Sequence, residues 1–471
     1  MLVQRAPSGE AYFDPEGVWL TACAVIREAT ASADAIGAIG IASMAETGLL
    51  MDRRTGEARS VFVPWFDIAA QTQADLIRRG SDPLERFLKT GRRASFKCSL
   101  AKMLWLRAND EHLFEDVVWL SAADYIAYRL TGQFGTDPSL AAFTFAFRID
   151  RRDWDADWLR EWRLSPELFP PVYPSGTPMG GVRSEVATSL GFSTDTPVAV
   201  CGHDHAAAAF AMNVTIPGKV FDSMGTAETL TGALPERLLR EEDFHSGLIY
   251  GPHVARERGY WLGSLSASGG SVDWLRAQLG SEPLSYAEIE ALLDCAHPEP
   301  TGILYFPYLL GSGPPHTDPH VRGAFVGLSA SHGRADLLKA VLEGTAYEVE
   351  FIRQAGERIT GQPIPVLSAA GGGTRNRAWL QIKADVSGCQ IEASAEPEAT
   401  LLGAALVAGI GTGLYASESE AFAGLCSKPT EVFLPDGERH TIYRRLYEQG
   451  YLSLQKVLRQ HFNENQFPDC Q

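Results

Sequence analysis

The stretch VAVCGHDHAAAAFAMN, residues 198–213, joins an apolar run to an alanine-rich run through His203, Asp204 and His205. This junction constrains the fold more tightly than any other part of the chain. Val-Ala-Val-Cys reads as a buried strand, and the alanines read as a helix packed closely against a neighbour. A buried strand feeding a buried helix belongs to an α/β layer structure. Packing has no use for charge at such a joint, so His203, Asp204 and His205 are candidates for chemistry.

The same alternation runs through the rest of the chain. DPEGVWLTACAVIREAT (14–30) predicts a helix with Asp14 as its cap and Pro15 in the first turn. AIGAIGIAS (35–43) predicts a strand, 48–65 a hairpin turning at Arg54-Thr55-Gly56, and about 80–133 a mostly helical stretch. ELFPPVYPSGTPMGGV (167–182) is a proline- and glycine-rich connector. Past residue 214, GKVFDSMGTAETLTGAL alternates like two hairpin strands, and GYWLGSLSASGGSVDWLRAQLG runs from strand into helix. A long amphipathic helix is expected over 334–359, a strand ending in glycines over 364–373, a small-residue helix over 398–413 and a helical tail over 436–461. The expected fold is α/β in two domains, 1–213 and 214–471, which suits a chain of 471 residues.

Composition removes several function classes. A net charge of −17 disfavours nucleic acid and anionic membrane as partners. The basic run GRRASFK (91–97) reads as a solvated loop. Seven scattered cysteines without a CxxC point to a reduced, cytoplasmic protein, and no zinc-type spacing accompanies the pair His203 and His205. MLVQRAPSGEAYFDPEG lacks the apolar core of a signal peptide, and no window approaches a membrane span. Neither a GxxxxGK[ST] loop, an HExxH helix, a GxSxG elbow nor a full GxGxxG is present.

Three segments could carry chemistry. Asp204, at a strand end and helix start, can accept a proton from a substrate hydroxyl, and it can equally serve as a helix cap. In DSMGTAET (222–229), Gly225 admits close backbone approach and the Thr226 hydroxyl can donate to a phosphoryl oxygen, although an ordinary hairpin glycine would look the same. In AAGGGTRN (369–376), Gly371 and Gly372 leave bare backbone on which a flat ligand can lie, with Asn376 beside it. In the first half, Glu46, Thr47, Trp65 and Asp67 fall at strand ends, where carboxylates and an aromatic face suit a polyhydroxylated ligand.

In order along the chain, these segments resemble the FGGY carbohydrate kinases. GAFVGLSASHGRADLLKAVLE (323–343), CGHDHAAAAF, SMGTAET, AAGGGTRNRAWLQIKADVSG, YPSGTPMGGV and DYIAYRLTGQFGTDPSLAAFT all look like family segments, from about Glu10 to about Gln460. The resemblance implies two actin-like, ribonuclease H-like domains with ATP and a small sugar or polyol meeting in the cleft between them. It implies Asp204 as the base, with Mg2+ near it, and Gly225, Thr226 and Gly269 at the ATP phosphates. Gly371, Gly372 and Asn376 would meet the adenosine. Glu46 would bind a substrate hydroxyl, as in the glycerol kinases; Thr47 stands where xylulose kinases carry His. Trp65, Asp67 and His205 would complete the substrate side, although Ala69 replaces an expected Arg. A homodimer is a further family expectation. Family members open with a strand–Asp-x-Gly-Thr–strand hairpin and a third strand, for which this sequence shows no counterpart. The alternative is therefore a non-catalytic sugar- or nucleotide-binding relative. A dinucleotide oxidoreductase lacks its fingerprint here.

Overall fold

The strand and helix around Asp204 form as Pro197–His203 and Asp204–Ala211 in a computed structural model of the protein. It describes residues 3–465 apart from 34, 397, 424 and 426–430. Pro197–His203 is the middle strand of three, parallel to Ile39–Ser43 and antiparallel to Pro178–Gly181. Ile39–Ser43 lies at the edge of this sheet and is half-buried along its whole length.

Two helices pack on these strands. Ala122–Thr131 comes from the first half of the chain, and Ala399–Gly411 returns from far along the second. The returning helix makes near backbone contact. A Cβ placed on Gly403 would stand 1.9 Å from the Ala207 carbonyl oxygen, and one on Gly40 would stand 2.3 Å from that of Ala404. Only glycine allows both approaches. Val198, Val200, Cys201, Ala206 and Phe210 thus share one core with Leu406, Val407 and Ala408.

The second half is built on seven strands in the order Ile249–Pro252, Arg258–Leu265, Glu228–Pro235, Lys219–Met224, Val366–Ala370, Gln390–Ala393 and Glu431–Phe433. Lys219–Met224 pairs antiparallel with Glu228–Pro235, as the alternation of GKVFDSMGTAETLTGAL predicts, and parallel with Val366–Ala370. Helices Arg334–Thr360 and Arg377–Ser387 close the core around Trp261, Tyr347 and Trp379. The helix predicted from Asp14 forms as Pro15–Thr30, with the Asp14 carboxylate accepting the Gly17 N–H at 2.6 Å.

One expectation is borne out in irregular form and one is corrected. Residues 48–65 turn back through Arg54-Thr55-Gly56, with the Gly56 N–H donating to the Asp52 carbonyl at 3.0 Å and antiparallel bridges joining Met51 to Ala58 and Gly48 to Val63; the regular partner of Gly48–Asp52 is a second neighbour, Val117–Ser121. Residues 91–97 are not a solvated loop. Arg92 is buried, with its guanidinium 3.6 Å from the Phe143 ring centroid and Nη2 donating to the Tyr260 hydroxyl at 2.7 Å. Tyr250 N–H donates to the Gly91 carbonyl at 3.1 Å, so this loop is a contact between the two halves. Five cysteines, Cys23, Cys98, Cys201, Cys295 and Cys389, are free thiols, and Cys426 and Cys470 lie outside the described residues.

Candidate active site

Parallel strands Ile39–Ser43 and Pro197–His203 end side by side, with Ser43 opposite His203. Both chains therefore leave the sheet at its carboxyl edge, where open α/β sheets bind ligands. Asp204 is the first residue of its helix, and its side chain is one-third exposed. Oδ1 accepts the His205 backbone N–H at 2.7 Å and faces His203 Nε2 at 3.0 Å. No described residue donates to Oδ2. That oxygen is free to take a hydroxyl proton.

The imidazole beside it is held neutral. His203 is buried against Phe143, its ring centroid 4.4 Å away, and burial pushes its pKa down to about 3. Nδ1 has no partner, and Nε2 stands near the Asp204 carboxylate, whose charge acts on the ring without a hydrogen bond between them. His205 is half-buried, with its ring 5.3 Å from that of His203.

The turn after Ile39–Ser43 carries the next group. Glu46 is half-buried and adopts a left-handed backbone (φ 65°), a strained state for a residue with a Cβ. The buried Lys102 ammonium donates to the Glu46 carbonyl, and burial brings Lys102 down to about 8. Thr47 is 2% exposed, and its hydroxyl oxygen accepts the Trp65 N–H at 3.1 Å. Trp65 is exposed over part of its ring, with Lys97 Nζ 4.9 Å from the ring centroid. Asp67 is buried, and its two oxygens accept the Ala11 and Ala69 N–H groups at 2.6 and 2.8 Å. Glu46 and Trp65 thus remain partly exposed, while Thr47 and Asp67 each accept backbone N–H groups.

Across the junction, three loops of the second half converge. Gly269 and Gly270 donate their N–H groups to the carbonyls of Gly225 and Thr226 at 3.1 and 3.0 Å. A Cβ on Gly269 would lie 2.6 Å from the Gly225 oxygen, and one on Gly371 (φ 109°) would lie 2.6 Å from the Met224 oxygen. Gly225, Thr226 and Gly372 are exposed, the last with open space around its Cα. Asn376 Oδ1 caps helix Arg377–Ser387 by accepting the Trp379 N–H at 3.0 Å. Ala208 and Ala209 of the Asp204 helix pack with Phe221, Ala370 and Ala399, and the Thr400 hydroxyl lies 3.4 Å from the Asp204 carbonyl. The helix that Asp204 opens therefore packs against the two strands that lead into Gly225 and Gly371.

Residues 3–211 match the family model "FGGY family of carbohydrate kinases, N-terminal domain", and residues 221–412 match its C-terminal counterpart. The chain belongs to the FGGY family of carbohydrate kinases. It is 31% identical over 448 residues to a glycerol kinase of Gloeobacter violaceus, spanning 92% of this chain and 86% of that protein. It is also 31% identical over 357 residues to a xylulose kinase of Staphylococcus epidermidis, spanning 74% of this chain and 69% of that one. Among solved structures, xylulose kinase from Rhodospirillum rubrum superposes with a TM-score of 0.87 at 26% identity, over 98% of this chain and 93% of that chain. The FGGY kinase fold, two actin-like and ribonuclease H-like halves, is thereby established, and the protein is a phosphotransferase acting on a sugar or polyol. Among the described residues no helix is long and apolar enough to cross a membrane.

Four cationic or neutral neighbours escape sequence reading: the neutral His203 ring against Asp204, Lys102 beneath Glu46, Lys97 over Trp65 and Arg92 between the halves. One signal was available for Lys102. It is the single charge within the apolar run SLAKMLWL, where a buried cation must find acceptors.

Proposed function

We propose that this kinase transfers the terminal phosphoryl group of ATP to a hydroxyl of a small substrate, either a ketopentose such as xylulose or a short polyol such as glycerol. The unpartnered Oδ2 of Asp204 carries the reading: it takes the hydroxyl proton as the alkoxide oxygen attacks the terminal phosphorus and ADP leaves. Glu46 accepts from a second hydroxyl, and Trp65 covers the C–H face of the ligand. The exposed turn Gly225–Thr226 receives the phosphates, with Gly269 holding that turn through its N–H to the Gly225 carbonyl, while Gly371, Gly372 and the Asn376 amide receive the adenosine. The relatives called xylulose kinase and glycerol kinase support both substrate classes.

Among the described residues no trio of carboxylate, His or Cys side chains converges on a metal position. Mg2+ usually keeps several of its waters and is held largely by substrate phosphates, so an ion near Asp204 would meet that carboxylate through water and leave Oδ2 to the hydroxyl proton. Bound there, the ion would neutralise phosphate charge.

ADP release with Mg-ATP over a panel of ketoses and polyols tests the proposal. Release that depends on one substrate class is expected; nucleotide turnover indifferent to every sugar would overturn it. The nucleotide side has its own test. Asn376→Asp keeps the helix cap and loses the amide donor, so it should raise the KM for ATP and leave melting temperature and sugar KM unchanged. Asn376→Ala also removes the cap, at a cost of about 1 kcal/mol of stability. Equal KM values for ATP in wild type and Asn376→Asp would move Asn376 out of the nucleotide site. Gly269→Ala, whose Cβ would collide with the Gly225 oxygen, should weaken Mg-ADP binding by about tenfold in calorimetry.

A further inference from the structure

Lys383 lies inside helix Arg377–Ser387, and its ammonium meets two carboxylates, Asp222 Oδ2 at 2.6 Å and Glu228 Oε1. All three side chains are fully buried. The other Glu228 oxygen accepts the Ser268 hydroxyl, also fully buried. These partners are spread over separate segments. Asp222 and Glu228 stand on the two legs of the hairpin whose turn holds Gly225 and Thr226. Ser268 opens the loop that continues into Gly269 and Gly270, and its N–H donates to the Thr226 carbonyl at 2.9 Å. Lys383 is carried by the helix that follows Gly371–Gly373 and begins beside Asn376.

One ammonium therefore ties together the supports of three loops. Burying such a cluster is expensive: each ion loses several kcal/mol of solvation, and apolar residues of similar volume often stabilise a fold as well or better. The balance is also imperfect, with two carboxylates to one ammonium and no partner for Asp222 Oδ1. Burial accordingly holds the Asp222 carboxyl above its ordinary value. Stability alone does not account for a charged group in this place.

We propose that Lys383 is a positioning residue, which sets the turn at Gly225–Thr226, the loop at Ser268–Gly270 and the helix after Gly371–Gly373 in the mutual register that a nucleotide requires. The proposal rests on the reading of these loops as the nucleotide side. Lys383 touches no substrate; it acts through Asp222, Glu228 and Ser268.

The test compares Mg-ADP binding by calorimetry, ligand-free melting temperature and both KM values. Lys383→Met alone strands two buried carboxylates and risks unfolding. The triple variant Asp222→Asn, Glu228→Gln, Lys383→Met removes the charges together while keeping side-chain volume. We expect the triple variant to melt near wild type, to bind Mg-ADP about tenfold more weakly, and to show a raised KM for ATP beside an unchanged sugar KM. Ser268→Ala removes one link and no charge, and is expected to weaken Mg-ADP by about threefold. If either variant folds and binds Mg-ADP as wild type does, the proposal is overturned; Ser268→Ala decides the matter should the triple variant fail to fold. A wild type that binds no Mg-ADP would instead sink the nucleotide reading, and the Lys383 proposal with it.

Discussion

Asp204→Asn is expected to lower kcat by about 10²–10⁴-fold, the usual worth of a general base, and to leave Mg-ADP affinity within about twofold of wild type. The geometry makes this substitution unusually clean. Oδ1 of Asp204 accepts the His205 N–H and faces His203 Nε2, and an asparagine oxygen can do both. Only the free Oδ2 changes, from an acceptor able to hold a proton to an amide that cannot. Fold, helix start and nucleotide loops stay as they are. A mutant that keeps a tenth or more of wild-type kcat would show that the hydroxyl proton goes elsewhere. Asp204→Ala also releases the His205 N–H, so it would mix loss of chemistry with disorder of the helix start and is the poorer test.

Gly403→Ala is expected to cost stability by about 1–3 kcal/mol or more, the range for overpacking in a closed interior. The added methyl would sit 1.9 Å from the Ala207 oxygen and 2.5 Å from its carbonyl carbon. Both are backbone atoms, so no rotamer change relieves the clash and the two helices must separate. Asp204 opens the helix that would be pushed, so activity should fall even at temperatures where the protein stays folded. Gly437→Ala is the control: nothing lies within 4 Å of a Cβ there, and melting should not change beyond error. A Gly403→Ala protein that melts like wild type would mean the two helices are less closely packed than described.

What the sequence made legible follows from the range over which its signals act. The unit at 197–211 could be read because strand and helix are neighbours in sequence and the alanines announce close packing. The convergence of the loops at Gly225, Gly269 and Gly371 could be read because glycines mark places where backbone meets backbone. The turn after Gly48–Asp52 could be read locally, but its pairing with Val117–Ser121 could not, because that strand comes after several intervening helices and alternation says that a strand exists without saying with what it pairs. Arg92 was misread for a related reason. A basic run looks solvated until a second half of the chain lies on top of it, and Phe143 and Tyr260 are invisible from residues 91–97. For Thr47 and Asp67 the residue type was legible at the strand ends, but not that their oxygens also accept the Trp65, Ala11 and Ala69 N–H groups, which come from segments distant in sequence or from the next turn.

The helix Ala399–Gly411 also bears on the order in which a ribosome could complete this molecule. The strand Pro197–His203 and the Asp204 helix emerge early, but Leu406, Val407 and Ala408, which share their core, arrive about 200 residues later, some 10–40 s at ordinary elongation rates. During that interval the nascent first half carries an uncovered apolar surface beside the Asp204 helix. A fragment ending at residue 213 is permanently in that condition. Growing chains of this kind are natural clients for a chaperone that shields such a surface until the last helix is made.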